Sequence, residues 1–262
     1  TGAALELRTA SYAIRAADPA IGGLPAIPAG PVQLVLPEQR ESWPRTIMAV
    51  VGDQEDTTVA PIALFMVQPS ARENYKVSYA ITLEPSAVLP DVAPADIGTA
   101  RLAPDSPLLR VPADDVALAY ADILEKDVDS ASYLQFEAEG DSLRAAVGLA
   151  AKQQIIANLP TTATVSFGHA LGGAEPIVFA TNDAGALIAV NLNETTQVQP
   201  VEEGAAVNPS GAVKALSGVA VSTKGVIATY GDQLLFYVPP AGENEKIVLL
   251  GYSQGLIKAA EL

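Results

Sequence analysis

Gly251-Tyr252-Ser253-Gln254-Gly255 has the G-x-S-x-G spacing of a hydrolase nucleophile elbow. In that motif the glycines let a serine sit on a sharp strand-to-helix turn with its hydroxyl exposed. Lys246 to Leu250 has the pattern of a strand leading in, and Leu256 to Glu261 that of a helix leading out. Acyl transfer also needs an acid and a histidine after the serine, and only seven residues follow Gly255, with Glu261 the sole acid and no histidine. The single histidine, His169, precedes Ser253 by 84 positions and ends a short strand ahead of Gly172-Gly173. No parallel βαβ pattern frames the motif. The expectation is a tight turn between the last strand and a terminal helix, with Ser253 far from His169 and no acid orienting either.

Other chemistries lack parts. A lone histidine without cysteines does not assemble a zinc site, and the chain has no cysteine. The acidic groups Asp53-Gln54-Glu55-Asp56, Asp127-Val128-Asp129, Glu137-Ala138-Glu139-Gly140-Asp141 and Glu202-Glu203 do not follow the calcium-loop spacing and read as surface loops. With one tryptophan and five phenylalanines the chain is a poor carbohydrate platform. Gly168 to Gly173 and Asn208-Pro209-Ser210-Gly211 lack the lysine and helix of a phosphate loop and read as turns. Trp43 is expected to pack over Pro44. No catalytic, cofactor-binding or metal residue is assigned, and no cofactor is expected.

Thirty acids against fifteen bases give a formal charge of −15, with no basic cluster. Nucleic acid and anionic lipid headgroups are therefore poor partners. Positions 111 to 262 hold eighteen of the acids and seven of the bases. Half the chain is hydrophobic and 17% charged, so it folds, with cores of small side chains because aromatics reach only 5%. No apolar run approaches the roughly 20 residues that span a bilayer. The chain opens Thr1-Gly2-Ala3, so a removed leader or an anchor is expected upstream.

Any functional side chain must be placed by the following elements. Ala3 to Ala17 patterns as a helix ending at Asp18-Pro19, followed by a Gly/Pro loop from Gly22 to Pro31. Strands are expected at Val32 to Leu36, Arg45 to Val51, Ile62 to Gln68 and Tyr75 to Leu83. The last alternates Tyr75, Val77, Tyr79, Ile81 and Leu83 on one face. Six prolines between Glu84 and Pro112 mark a linker or a loop wrapping the sheet, and the domain boundary is placed there. A helix opens at Pro112, and another runs from an Asp141 N-cap to Asn158. Strands follow at Thr164 to Gly168, Ile177 to Thr181, Ala186 to Leu192, Thr195 to Val201, Val226 to Thr229, Gln233 to Val238 and Lys246 to Tyr252. Tyr230-Gly231-Asp232 is among the turns between them. The expected fold class is α+β: two tandem modules, residues 1–110 and 111–262, each a helix packed on an antiparallel sheet, cystatin-like or nuclear-transport-factor-2-like.

Pro25 to Pro31, Trp43-Pro44-Arg45, Asn74-Tyr75-Lys76-Val77, Leu89 to Pro94, Tyr230 to Tyr237 and Lys246 to Gly255 together carry a resemblance. They resemble an uncharacterised extracytoplasmic domain family of actinobacteria, in which the domain follows a signal or lipoprotein anchor. The resemblance covers essentially the whole chain. It implies a location outside the cytoplasm, membrane-anchored at the cell surface, and carries over no catalytic residues.

The leading expectation is a non-catalytic extracytoplasmic binding or interaction module of the cell envelope, not an enzyme. Its expected partner is an envelope protein or small ligand, with membrane contact only through an upstream anchor. The alternatives are a serine hydrolase using Ser253 and a structural scaffold acting as a homodimer.

Overall fold

The computed structural model describes every residue except Thr1, Pro31, Arg40, Gln54 and Thr57. The last residue of the Gly/Pro loop and one position of the Asp53 to Asp56 group thus lie outside the described residues. Helix α1 spans Gly2–Ala17, and Ala3, Leu7, Ala10 and Ile14 form its buried stripe at helical spacing. Strands β1 (Val32–Val35), β2 (Arg45–Val51), β3 (Ile62–Gln68) and β4 (Lys76–Leu83) make an antiparallel meander. Helices α2 (Ala113–Lys126), α3 (Ser142–Val147) and α4 (Leu149–Asn158) precede β5 (Ala163–Leu171), β6 (Ile177–Ala180) and β7 (Ala186–Pro200). Helix α5 (Gly211–Ser217), β8 (Val226–Val238) and β9 (Val248–Glu261) complete the chain.

All nine strands form one antiparallel sheet in the order β1-β2-β3-β4-β9-β8-β7-β5, with β6 also paired to β7, so the class is α+β. The last strands of the two halves meet in a short joint: Thr82 and Leu83 pair with Tyr252 and Gly251, and Glu84 N–H donates to Leu250 O. Beyond this joint the strands diverge, and β1 to β4 fold over one face of β6 to β9. Met48, Phe65, Tyr79 and Ile81 interlock there with Ile177, Phe179, Leu187 and Leu235. Phe65 stacks on Phe179 with ring centres 6.1 Å apart. Helix α1 covers the rest of that face, with Ile14 beside Ala228 and Leu256. The opposite face carries α2, whose Val116, Tyr120 and Leu124 bury against Ile188, Leu192, Leu234 and Phe236.

Several expectations change. The Gly251 to Gly255 stretch is not a turn, and no terminal helix follows it. Both lie inside β9, which pairs with β8 almost to its end, Ser253 opposite Gln233 and Glu261 opposite Val226. Tyr230-Gly231-Asp232 likewise runs through the interior of β8, and β7 is one strand across Asn193 and Glu194. Flanking strands on both sides outweigh local turn propensity at these positions. The helix expected from Asp141 to Asn158 breaks at Gly148, whose extended backbone (φ −70°, ψ −174°) ends α3 and opens α4. At Phe65/Met66 the register with β4 skips Ser78 in a bulge, so Val77 packs with Leu64 on the face opposite Tyr79. Helix α5 follows directly on Asn208-Pro209-Ser210, where a turn was expected. The Glu84 to Pro112 segment wraps the molecule, bridging to Pro37, Phe179 and Pro240 at Thr99, Arg101 and Leu109.

Candidate functional site

Successive residues of a strand face opposite sides, so β8 and β9 serve two sites with the same short segments. Gln233 and Ser253 point towards α1, and Asp232 and Gln254 point towards α4.

On the α1 side the diverging strands leave backbone donors of β4 without ladder partners, and side chains take over. Ala80 N–H donates to Gln233 Oε1 at 2.8 Å, and Thr82 N–H donates to Ser253 Oγ at 3.1 Å. Ser253 Oγ also lies 3.3 Å from Thr82 Oγ1. The motif glycines answer to packing. A Cβ on Gly251 would stand 2.4 Å from Thr82 O, and one on Gly255 2.5 Å from Leu7 Cδ1 of α1. The G-x-S-x-G spacing is therefore a docking pattern: a glycine for the β4 backbone, a serine for its free N–H, a glycine for α1. Among the described residues Ser253 Oγ contacts only Thr82, and His169 lies on the other face of the sheet.

Above this floor is a cleft of about 330 Å³. Ala4, Leu5, Leu7 and Arg8 of α1, Leu24, Pro25 and Ile27 of the Gly/Pro loop, and Ile62, Val77 and Ala80 of the first meander wall it in. Arg8 is half-buried and has no ion pair or hydrogen bond among the described residues.

On the α4 side, charged groups from four elements converge. Lys152 is the one buried residue of α4. Its Nζ donates to Leu124 O at 3.2 Å and to Glu194 Oε1 at 3.3 Å. His169 Nε2 is 2.8 Å from Glu194 Oε1 and 3.1 Å from Lys152 Nζ. The shorter contact to a carboxylate assigns the proton to Nε2, donating to Glu194. Gln254 Nε2 donates to Glu194 Oε2 at 3.1 Å. The His169 side chain is 7% exposed and has an acid orienting it, contrary to expectation. β-sheet register explains this, since His169 of β5 lies directly opposite Glu194 of β7.

Asp232 is fully buried, and neither carboxyl oxygen receives a hydrogen bond. Burial first, and the neighbouring Glu194 carboxylate second, push its pKa well above the usual carboxylate range. Tyr230, opposite Glu194, is also raised, by burial and then by that carboxylate. Folding thus favours the protonated form of Asp232 relative to the unfolded chain, whose carboxyl titrates at about pH 4. Stability from this group is full at acid pH and falls, by about 1.4 kcal/mol per pH unit, between the unfolded pKa and the raised folded one. Asp232→Asn is expected to flatten this decline and to raise the melting temperature at pH 7, which calorimetry across pH 4 to 8 measures. An unchanged slope would show that Asp232 does not carry it.

A cavity of about 320 Å³ adjoins this cluster, lined by Val147, Ala151, Lys152 and Ile155 of the helices and by Phe167, Glu194, Tyr230 and Gln254 of the sheet. No three His, Asp or Glu among the described residues stand in a metal-ligating arrangement. Three acids from the groups singled out in the sequence have local roles. Asp141 caps α3 by accepting from Arg144 N–H and also accepts from Tyr120 Oη–H, Asp127 pairs with Arg144, and Glu137 pairs with Lys246. Arg45 lies over the Trp43 ring at 4.5 Å.

Among the described residues no helix is long and apolar enough to cross a membrane. No curated protein and no solved structure matches the chain. A family model does match, over residues 1–261, and the chain belongs to that family, described as a domain of unknown function (DUF8094).

Proposed function

We propose that this chain is a non-catalytic, envelope-exposed binding module whose ligand is a small amphipathic anion with an aliphatic body, held in the cleft beneath α1. The observation that carries this reading is an unpaired guanidinium on a cleft with aliphatic walls. The polar floor is already engaged by β4, so among the described residues of the lining Arg8 is the one charged group left to recognise a ligand. A guanidinium grips a carboxylate through two parallel N–H bonds, and the aliphatic walls favour burial of a short chain. The field of a −15 chain opposes an anion at long range, but salt screens it beyond about 8 Å, leaving the contact with Arg8 to decide. Display outside the cytoplasm is supported by the family resemblance alone.

Isothermal titration with octanoate tests the reading. Saturable binding is expected, and Arg8→Ala is expected to weaken it roughly 10- to 100-fold, the range for a charge-assisted hydrogen bond. 1-Octanol should bind wild type and Arg8→Ala alike. Absence of octanoate binding, or indifference to Arg8→Ala, would overturn the proposal. A fluorophosphonate probe should leave Ser253 unlabelled, and labelling there would restore the hydrolase reading. Protease added to intact cells should digest the full-length protein, whereas protection would contradict envelope display.

A further inference from the structure

Independently of the α1 cleft, we propose that the cavity between the start of β2 and the wrapping segment is a second binding site, for a singly charged tetrahedral oxyanion such as a phosphodiester or a sulfate ester. The cavity holds about 420 Å³, and Trp43, Arg45, Thr46, Thr99 and Arg101 all line it. Separate segments fix these side chains. Arg45 and Thr46 open β2, and Trp43 stands just before them. Thr99 and Arg101 are tied down by bridges to Pro37 and Phe179. The site is therefore formed before a ligand arrives.

Arg101 carries the argument. A guanidinium has five N–H donors, and this one makes a single hydrogen bond among the described residues, from Nη1 to Thr46 Oγ1 at 3.2 Å, and no ion pair. It is half-buried, and burial lowers its pKa, with the Glu175 carboxylate opposing that only in part. A cation drawn out of water without a counter-charge is destabilising, and an anion at its Nη edge offsets this. Nε is closed to solvent, so the ligand meets Nη2, which is neither enclosed nor hydrogen-bonded among the described residues.

Charge and orientation select this cavity over its neighbour. A cavity of about 540 Å³ shares Pro44 and Arg101 with it. Thr46, which holds Nη1, lines only the first of the two, and Glu175, which repels an anion, lines only the second. Among the described residues the first carries two guanidiniums, Arg45 and Arg101, against one carboxylate, Glu38. Arg45 lies over the Trp43 ring, which keeps its charge at the cavity wall. One net positive charge in a chain of −15 complements a monoanion. The guanidinium fork satisfies the two oxygens of a carboxylate by itself. Thr46 gives Arg101 only a lone pair and keeps its own O–H, and the Ser42 hydroxyl adds another, so donors remain for a third oxygen.

Trp43 is the sole tryptophan, so its fluorescence reports on this cavity and not on the α1 cleft. Titration of the whole chain with dimethyl phosphate and with methyl sulfate, at ionic strength held constant with sodium chloride, is expected to give a saturable change in Trp43 emission. Sodium acetate should need a roughly tenfold higher concentration, because it leaves the hydroxyl donors unused. Arg101→Gln should weaken the response roughly 10- to 100-fold, the range for a charge-assisted hydrogen bond, whereas Arg8→Ala should leave it unchanged. If Arg101→Gln does not fold, amide shifts of the wild-type chain at Thr46 and Arg101 decide: they should saturate with either ester and lag tenfold with acetate. No saturable change with either ester, an equal response to acetate, a full response in Arg101→Gln or its loss in Arg8→Ala would each overturn the proposal.

Discussion

Lys152→Ala is expected to lower the unfolding free energy by about 3–5 kcal/mol, the cost of leaving a buried carboxylate without its cation. Both side chains of the Lys152–Glu194 pair are 9% exposed, so water screens little of the interaction. Removing the ammonium strands the buried Glu194 carboxylate beside Asp232 without a cation. It also unfastens α4, whose remaining residues are half-buried or exposed, including Ile155 and Ile156. Urea unfolding measures the first effect, and faster amide exchange confined to 149–158 the second. Pairing Lys152→Met with Glu194→Gln should recover part of the loss, because the variant then buries no net charge. A loss below about 1 kcal/mol in Lys152→Ala would mean that the cluster is solvated and that its buried charges are not coupled.

Gly251→Ala should destabilise by about 3 kcal/mol, the top of the overpacking range, because the new methyl meets backbone and not a yielding side chain. Thr82 O and Leu83 Cα would lie 2.4 and 2.8 Å from it. At the two residue pairs of the β4–β9 joint the strands have no room to separate without breaking the bonds that hold the meanders together. A melting-temperature fall of roughly 6–12 °C is expected. Gly255→Ala makes the informative contrast. Its methyl would meet only the end of Leu7, which can rotate, so a smaller fall is expected. Equal effects at the two glycines would refute the assignment of Gly251 to the β4 backbone.

Local pattern was enough for some elements and not for others. β2 and β3 match their expected spans residue for residue, because each is a continuous β-prone run bounded by polar or turn residues. The Gly251 to Gly255 stretch was misread for a physical reason. Its glycines are permissive in isolation, and the partners that straighten it, β8 along its length and β4 at one end, lie elsewhere in the chain. The same holds for Tyr230-Gly231-Asp232. The charged cluster was invisible in the sequence because Lys152, His169, Glu194 and Asp232 are spread over 81 positions and meet only through sheet register. One signal was available. Pairing the strand through Gly168 antiparallel with the strand beginning at Thr195 sets His169 across from Glu194, given the correct register. Lys152 gave no such sign, since a lysine on a short helix is ordinarily solvated.

Strand alternation divides the G-x-S-x-G segment between two faces of the sheet, with Ser253 a structural acceptor beneath the proposed anion cleft. Titration of isotope-labelled protein with octanoate, followed residue by residue by NMR, tests it most directly. Saturable shifts are expected at Leu5, Arg8, Ala80, Thr82 and Ser253, lost in Arg8→Ala, while Lys152, Thr196 and Gln254 stay still. Shifts centred on Lys152 and Gln254, or none at Ser253 under saturating octanoate, would contradict it.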